Sequence, residues 1–195
     1  MRRILRAAPA PVLPLSRALW SSVFTGKGRG TGSLRAIRPY ALLCLLCFIL
    51  YAPGLAAIPP LDRDEAHFAQ ATRQMLETGD FVRIRFQDEA RNKKPIGIHW
   101  LQAAAVSALS SPESAAIWPY RLPSALAATA AALLTYAFGT RLLASPSAGF
   151  IAAVLTASAL GVVVEAHLAK ADAALLAAVT AAQGALALVY SASRS

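Results

Sequence analysis

Four long stretches of the sequence contain no charged residue, and they constrain the fold more than any other feature. They are residues 40–58, 122–140, 147–164 and 173–193. Each has about 18 to 21 residues, which as a helix rising ~1.5 Å per residue crosses a hydrocarbon core of ~30 Å. The last three are rich in Ala, Gly and Ser, as in helices that pack closely in a membrane. The sequence therefore predicts an all-α polytopic membrane protein with about four transmembrane helices.

Charge is scarce and unevenly placed along the chain. Charged residues make up 15% of the 195 residues, against about 25% in a typical soluble domain. Of the net charge of +9, +8 arises in residues 1–61, which contain eight basic residues and no acid. A basic segment before a span stays in the cytoplasm by the positive-inside rule, so it gives no support to a nucleic-acid partner. We expect residues 1–38 to be a disordered cytoplasmic tail and residues 39–195 to form the transmembrane domain.

Loop 59–120 is expected to be extracytoplasmic and to carry the chemistry. A further apolar segment, residues 95–111, is shorter than the spans and places His99 and Gln102 on one polar face. We interpret it as an interfacial amphipathic helix. Loops 59–120 and 167–172 then lie on the same side of the membrane. Were it a span, the two loops would lie on opposite sides.

The start of loop 59–120 predicts a helix over about residues 63–78. Asp62 and Glu65 have capping-box spacing, and Gly79 suits the position after the helix. Acids also favour a first turn through the helix dipole, which is a structural explanation of the cluster. Capping alone does not need both Asp64 and Glu65, so Asp64 is also a candidate for chemistry.

Two lysines stand before a second predicted helix in this loop. Residues 81–86 alternate between apolar and basic, which predicts a short extended segment, and Pro95 suits a first helical position. Lys93 and Lys94 would then lie beside free backbone N–H groups and form a phosphate site. The alternative is contact with anionic lipid headgroups.

A second polar cluster separates the third and fourth spans and consists of Glu165, His167, Lys170 and Asp172. A short loop can be polar for solubility, and Asp172 could cap the following helix. Two spans separate this cluster from loop 59–120, so both lie on the same side of the membrane as Asp64. A shared site is therefore the functional interpretation. Cys44 and Cys47 lie inside the first apolar run and are interpreted as small helix residues, not as a redox or metal pair.

The order of four segments resembles the amino-terminal part of GT-C membrane glycosyltransferases. They are LDRDEAHFAQATRQMLETGDF, KKPIGIHWLQA, YRLPSAL and HLAKADAAL. The resemblance is to the branch related to dolichyl-phosphate-mannose protein mannosyltransferases (family 39) and to the bacterial 4-amino-4-deoxy-L-arabinose lipid A transferases. It implies a place in the inner (plasma) membrane of a bacterium, with loop 59–120 in the periplasm. It implies transfer of a sugar from a polyprenyl-phosphate carrier to a lipid or protein acceptor.

The resemblance also implies roles for single residues. Asp64 and Glu65 match the acidic pair after the first span, and Asp172 matches the second acidic position. Asp64 would act as a general base on the acceptor hydroxyl or orient it. Lys94 would stabilise the carrier phosphate as a leaving group. Arg121 matches the arginine of the R-L-P-S motif, with a structural role.

Two positions depart from the pattern of the relatives. His67 stands where relatives often have a phosphate-binding arginine, and Lys93 replaces an acid implicated in metal binding. We keep His67, Lys93 and Lys170 with the candidate phosphate-binding residues. Asp62 and Asp64 read as D-x-D, but helix capping explains Asp62, so no metal site is predicted and a divalent cation is only the alternative.

Relatives have many more spans and a soluble carboxy-terminal domain, so a truncated enzyme is expected. The alternative is a non-catalytic membrane scaffold or partner subunit derived from such an enzyme. The expected partners are a polyprenyl-phosphate-linked sugar, a lipid or protein acceptor and membrane lipids.

Overall fold

The structure, a computed structural model, describes residues 32–60, 62–90, 94–114 and 116–193. The chain divides at Pro39 into two units, and every tertiary contact discussed below lies within residues 40–195. In the described residues the helices are α1 (Gly32–Tyr51), α2 (Arg63–Thr78), α3 (Gly97–Leu109), α4 (Trp118–Leu142), α5 (Pro146–Ser158), α6 (Leu160–Ala166) and α7 (Asp172–Ala192). Two short strands, β1 (Arg85–Phe86) and β2 (Glu89–Ala90), form a hairpin between α2 and α3. The predicted all-α class is confirmed.

Helix α1 differs from the prediction at both ends. It begins at Gly32, so residues 32–38 of the predicted tail are helical; residues 1–31 lie outside the described part. It ends at Tyr51, although the apolar run continues to residue 58. Pro53 and Gly54 explain the early end, because Gly54 has φ +89° and proline cannot continue a helix. The apolar part of α1 is therefore shorter than a full span.

Helices α4 and α7 are long and apolar enough to cross a membrane, as predicted for the second and fourth runs. The third run is not one continuous helix. Ala159 has extended backbone angles, φ −60° and ψ 127°, and the axes of α5 and α6 differ by 59° there. Among the described residues the structure thus has two candidate spans, or three if the bent pair counts as one. The chain is an integral membrane protein.

Small side chains let the helices approach one another. The core between α1, α4, α5, α6 and α7 consists largely of buried alanines with two larger residues, namely Cys47, Tyr51, Ala125, Ala128, Ala132, Ala157, Ala166 and Ala173. The Tyr51 hydroxyl donates to the Ala157 carbonyl at 2.8 Å. This packing agrees with the prediction from the Ala-rich and Gly-rich runs, and it accounts for Cys47 as a buried helix residue.

The contact between α4 and α5 depends on Gly149. A Cβ at this position would lie 2.6 Å from the backbone nitrogen of Thr140, whereas one at Gly161 meets no described atom within 4 Å. We expect Gly149→Ala to lower the free energy of unfolding by about 1–3 kcal/mol, because the helices must separate. Thermal unfolding in detergent measures the change. Gly161→Ala is the matched control and should have no such effect; an equal loss in both variants would contradict this packing.

The polar part of the fold begins with α2, whose predicted bounds are confirmed. Asp62 is its N-cap and accepts a hydrogen bond from the Asp64 N–H at 2.8 Å. Gly79 follows with φ +70° and donates its N–H to the Met75 carbonyl. The predicted extended segment is present, but only Arg85–Phe86 pairs as a strand.

Helix α3 corrects two details of the prediction. It begins at Gly97, two residues after Pro95, so proline is not its first residue. His99 and Gln102 do share a face, but that face is buried against α2 and does not form a polar surface. Thr72 explains the burial, because its Oγ1 donates to Gln102 Oε1 at 2.7 Å and lies 2.8 Å from His99 Nδ1. These three buried side chains therefore provide hydrogen-bond partners for one another inside the protein.

Candidate functional site

A buried ion pair joins the acidic end of α2 to the start of α4. Arg121 Nε donates to Glu65 Oε1 at 2.6 Å and Arg121 Nη2 donates to Glu65 Oε2 at 3.0 Å. The side chains of Arg121 and Glu65 are 1% and 0% exposed. The bidentate geometry fits the planar guanidinium. Glu65 was predicted to be catalytic, but both its oxygens are bonded and buried, so its position is that of a structural residue.

The same guanidinium also holds the chain that follows α1. Arg121 Nη1 donates to the carbonyls of Leu55 and Ile58 at 2.9 and 2.7 Å, and Nη2 donates to that of Pro59 at 3.4 Å. These carbonyls lie beyond the end of α1 and outside regular structure. Arg121 therefore fixes the path by which the chain enters α2, which agrees with the structural role predicted for it.

The loop between α6 and α7 is held by three different helices. The Ala169 N–H donates to Glu65 Oε1 of α2 at 3.0 Å, and Gln102 Nε2 of α3 donates to the Ala169 carbonyl at 3.1 Å. Ser124 Oγ of α4 donates to the Lys170 carbonyl at 3.1 Å. The second polar cluster is thus fixed against the N-terminus of α2.

Asp62 and Lys170 form an ion pair between these two segments. The hydrogen bond from Lys170, followed by that from the Asp64 N–H, lowers the pKa of Asp62. Burial alone lowers the pKa of Lys170, but the bond to Asp62 and the charges of Glu165 and Asp172 outweigh it and raise the pKa. Lys170 was predicted to bind phosphate; its ammonium is instead bonded to the residue that caps α2.

The ion pair gives stability a defined pH dependence. The folded pKa of Asp62 is lowered, so its contribution is present at neutral pH and is lost as pH falls through that value. The folded pKa of Lys170 is raised, so its contribution is lost only as pH rises through that value. We expect Lys170→Met to lower the thermal midpoint at pH 7. The difference from the parent should shrink at acid pH, below the usual aspartate value.

Thermal unfolding from neutral to acid pH measures this difference. Arg141→Met removes an exposed cation at the far end of α4 and is the control. If the thermal midpoint of Lys170→Met stays below that of the parent by the same amount at acid pH, the ion pair is not the cause of the difference.

Asp64 lies next to this ion pair but faces outward. Its side chain is 60% exposed, and its Oδ1 is 4.0 Å from Nδ1 of His67, one turn along α2. The His67 ring contacts the Phe86 ring edge-on, with centroids 4.5 Å apart, so the hairpin positions it. Of the two predicted catalytic acids on α2, Asp64 is thus the one that a ligand can reach.

Asp172 and Lys94 complete the surroundings of the loop. Asp172 is exposed and is the first residue of α7; the N-cap is Ala171, so the predicted capping role is wrong. The electrostatic neighbourhood of Glu165, at the end of α6, contains the charges of Lys170, Asp172, Asp62 and Lys94. Lys94 is exposed, and Lys93 lies outside the described residues.

Within the described ranges, no group of three or more His, Cys, Asp or Glu side chains has the arrangement of a metal site. The neighbourhood does have acids that could accept a proton (Asp64, Asp172) and a lysine that could stabilise an anion (Lys94). This combination suits a reaction in which a hydroxyl loses a proton and an anionic group departs.

Sequence reasoning missed the residues that hold the site together. The side chain of Thr72 donates to that of Gln102, and Gln102 and Ser124 donate to carbonyls of the loop between α6 and α7. All three side chains are fully buried. The helical spacing of His99 and Gln102 was a signal of a shared polar face. Their partners lie on other helices, far along the chain, so spacing alone could not identify them.

Comparison with known proteins gives a consistent result. The family model for dolichyl-phosphate-mannose-protein mannosyltransferase matches residues 41–195. The undecaprenyl phosphate-alpha-4-amino-4-deoxy-L-arabinose arabinosyl transferase 2 of Pseudomonas fluorescens is 31% identical over 116 residues. This match covers 56% of the chain and 19% of the relative, so the chain spans about a fifth of that relative's length. No solved structure matches the chain.

Proposed function

Because the chain belongs to the dolichyl-phosphate-mannose-protein mannosyltransferase family, within the GT-C superfamily, we propose that it contributes the catalytic loop of a polyprenyl-phosphate-sugar glycosyltransferase. The donor is a sugar linked to a polyprenyl phosphate, and the acceptor is a lipid or a protein. The family supports the class of donor. The relative named for an arabinosyl transferase supports an undecaprenyl carrier.

One observation carries this proposal. The loop between α6 and α7 is tied to the N-terminus of α2 by the Ala169–Glu65 hydrogen bond and by the Lys170–Asp62 ion pair. Residues 62–65 and 165–172 are about a hundred positions apart in sequence, yet they form one polar neighbourhood beside the apolar helices. A lipid-linked sugar needs such a place, with its polar head at the membrane surface and its chain in hydrocarbon.

The proposed reaction assigns each candidate side chain a task. The acceptor hydroxyl attacks the anomeric carbon of the sugar, and Asp64 removes the hydroxyl proton. The bond between that carbon and the phosphate oxygen breaks, and its electron pair leaves with the polyprenyl phosphate. Lys94, with Lys93 and His67, stabilises the phosphate charge as it develops. Asp172 orients the reacting groups, and Glu65 holds Arg121.

The catalytic loop acts on the extracytoplasmic side of a bacterial plasma membrane. The basic residues 1–38 support this orientation, because they favour a cytoplasmic N-terminus. The polar loops on either side of α4 to α6 then lie where lipid-linked sugar donors are used.

A donor-binding measurement tests the proposal. The purified chain in nanodiscs should bind polyprenyl phosphate, and Lys94→Met should weaken binding about tenfold, because one charged contact is lost. Arg141→Met is the matched control, since it removes an exposed cation outside the site. Equal binding by all three proteins would contradict the proposed phosphate site.

A further inference from the structure

Glu165 has a buried oxygen without a partner. Its Oε2 makes no hydrogen bond to any described residue and is shielded from solvent. A carboxylate oxygen in this situation lacks the donors that water would provide, which costs free energy. The nearest cation of the loop, Lys170, is bonded to Asp62. The carboxylate of Glu165 therefore keeps hydrogen-bonding capacity for a donor.

A groove of about 540 Å³ is lined in part by Glu165. It runs between α6 and the first turns of α7, and the bend of 59° at Ala159 turns α6 away from α5. Apart from Glu165 and Asp172, its walls are the apolar or small residues Leu160, Gly161, Val162, Val164, Ala173 and Leu176. The groove thus has an apolar body with two carboxylates, which suits an amphiphile.

The charges of the residues that line the groove determine which polar group an amphiphile bound there can have. Both polar lining residues, Glu165 and Asp172, are acids, and no basic side chain lines the groove among the described residues. A phosphate placed there would meet two like charges, whereas a hydroxyl or an ammonium could donate to the carboxylate of Glu165. The phosphate of a donor fits instead beside Lys94, which acts on Glu165 only at longer range.

We propose that Glu165 is a specificity-determining residue that accepts a hydrogen bond from a hydroxyl or ammonium group of an amphiphilic substrate in this groove. This deepens the proposed function, because it assigns the sugar or acceptor end of the ligand to Glu165 and the phosphate end to Lys94. The apolar walls of α6 and α7 hold the adjoining hydrocarbon.

Native mass spectrometry of the full chain in detergent tests this with three probes of one chain length: dodecyl glucoside, dodecylammonium and dodecyl phosphate. We expect the first two to bind at least about tenfold more tightly than the phosphate. Glu165→Gln should weaken the binding of the more tightly bound probe by about 10-fold to 100-fold, since a charge-assisted hydrogen bond is lost. Glu77→Gln removes an exposed acid of α2 and should change nothing. A preference for the glucoside assigns the site to a sugar hydroxyl; a preference for dodecylammonium assigns it to an amino group.

Two results would overturn the proposal: dodecyl phosphate binding as tightly as the other probes, or Glu165→Gln binding them like the parent chain. Glu165→Leu separates binding from folding. It should abolish binding and leave the thermal midpoint equal or higher, because an unpaired buried carboxylate is removed. A lower midpoint in both variants would make Glu165 a structural residue and also overturn the proposal. Binding is measured without donor or turnover, so the result stands whether or not the chain transfers sugar.

Discussion

Replacing Arg121 by methionine is expected to destabilise the protein by about 3–5 kcal/mol. The change leaves Glu65, which is 0% exposed, as a buried carboxylate without its cation. It also removes the donor from the carbonyls of Leu55 and Ile58, which the guanidinium satisfies at 2.9 and 2.7 Å. Chemical unfolding in detergent, followed by helical circular dichroism, measures the loss. Arg141→Met, at the exposed end of the same helix, is the control and should unfold like the parent.

A double variant separates the ion pair from the other bonds of Arg121. Adding Glu65→Leu to Arg121→Met removes the unpaired charge, so stability should recover in part. The Ala169 N–H and the carbonyls beyond α1 stay without their partners, so recovery should be incomplete. An Arg121→Met protein within about 1 kcal/mol of the parent would contradict a structural role for the pair.

Changing Asp64 to asparagine is expected to lower the rate of sugar transfer by about 10²- to 10⁴-fold, because the proposed general base is lost. Stability should not change, because the side chain is 60% exposed and Asp62 makes the cap of α2. The measurement is release of polyprenyl phosphate from a lipid-linked sugar donor by membranes that contain the chain, together with thermal unfolding of the purified protein.

The matched control is Asp88→Asn, which removes an exposed acid from the hairpin turn of the same loop. It should transfer sugar like the parent. If Asp64→Asn and the parent release polyprenyl phosphate at the same rate, Asp64 is not the base. Tolerance of substitution at Asp64, Lys94 and Asp172 together would favour the non-catalytic scaffold.

Local signals in the sequence were sufficient to predict where α2 begins and ends. Its cap at Asp62, its acidic first turn and its end at Gly79 are each determined by neighbours within a few residues, and the structure has all three. Length and hydropathy were sufficient for α4 and α7. Such elements are predictable because the interactions that form them are local or depend only on composition.

The features that the sequence did not predict depend on residues that are far apart along the chain. Glu65 and Arg121 are 56 positions apart, and Thr72 and Gln102 are 30 apart, so only the packed helices bring them together. The acidic pair is therefore divided in the structure, with Glu65 bonded inside the protein and Asp64 facing outward. The break at Ala159 has no proline to mark it, and the length of the charge-free run predicted one continuous span there. These residues position the site, and their roles became visible only in three dimensions.

Photo-crosslinking tests most directly whether the start of α2, Lys94 and the loop before α7 form one donor site. A polyprenyl phosphate with a photoreactive group beside the phosphate is irradiated with the full chain, and the labelled peptides are identified by mass spectrometry. We expect adducts on residues 62–67 and on residues 165–172 in the same preparation, and fewer of both in Lys94→Met. Adducts confined to the lipid-facing surfaces of α4 and α7, unchanged in Lys94→Met, would contradict the site.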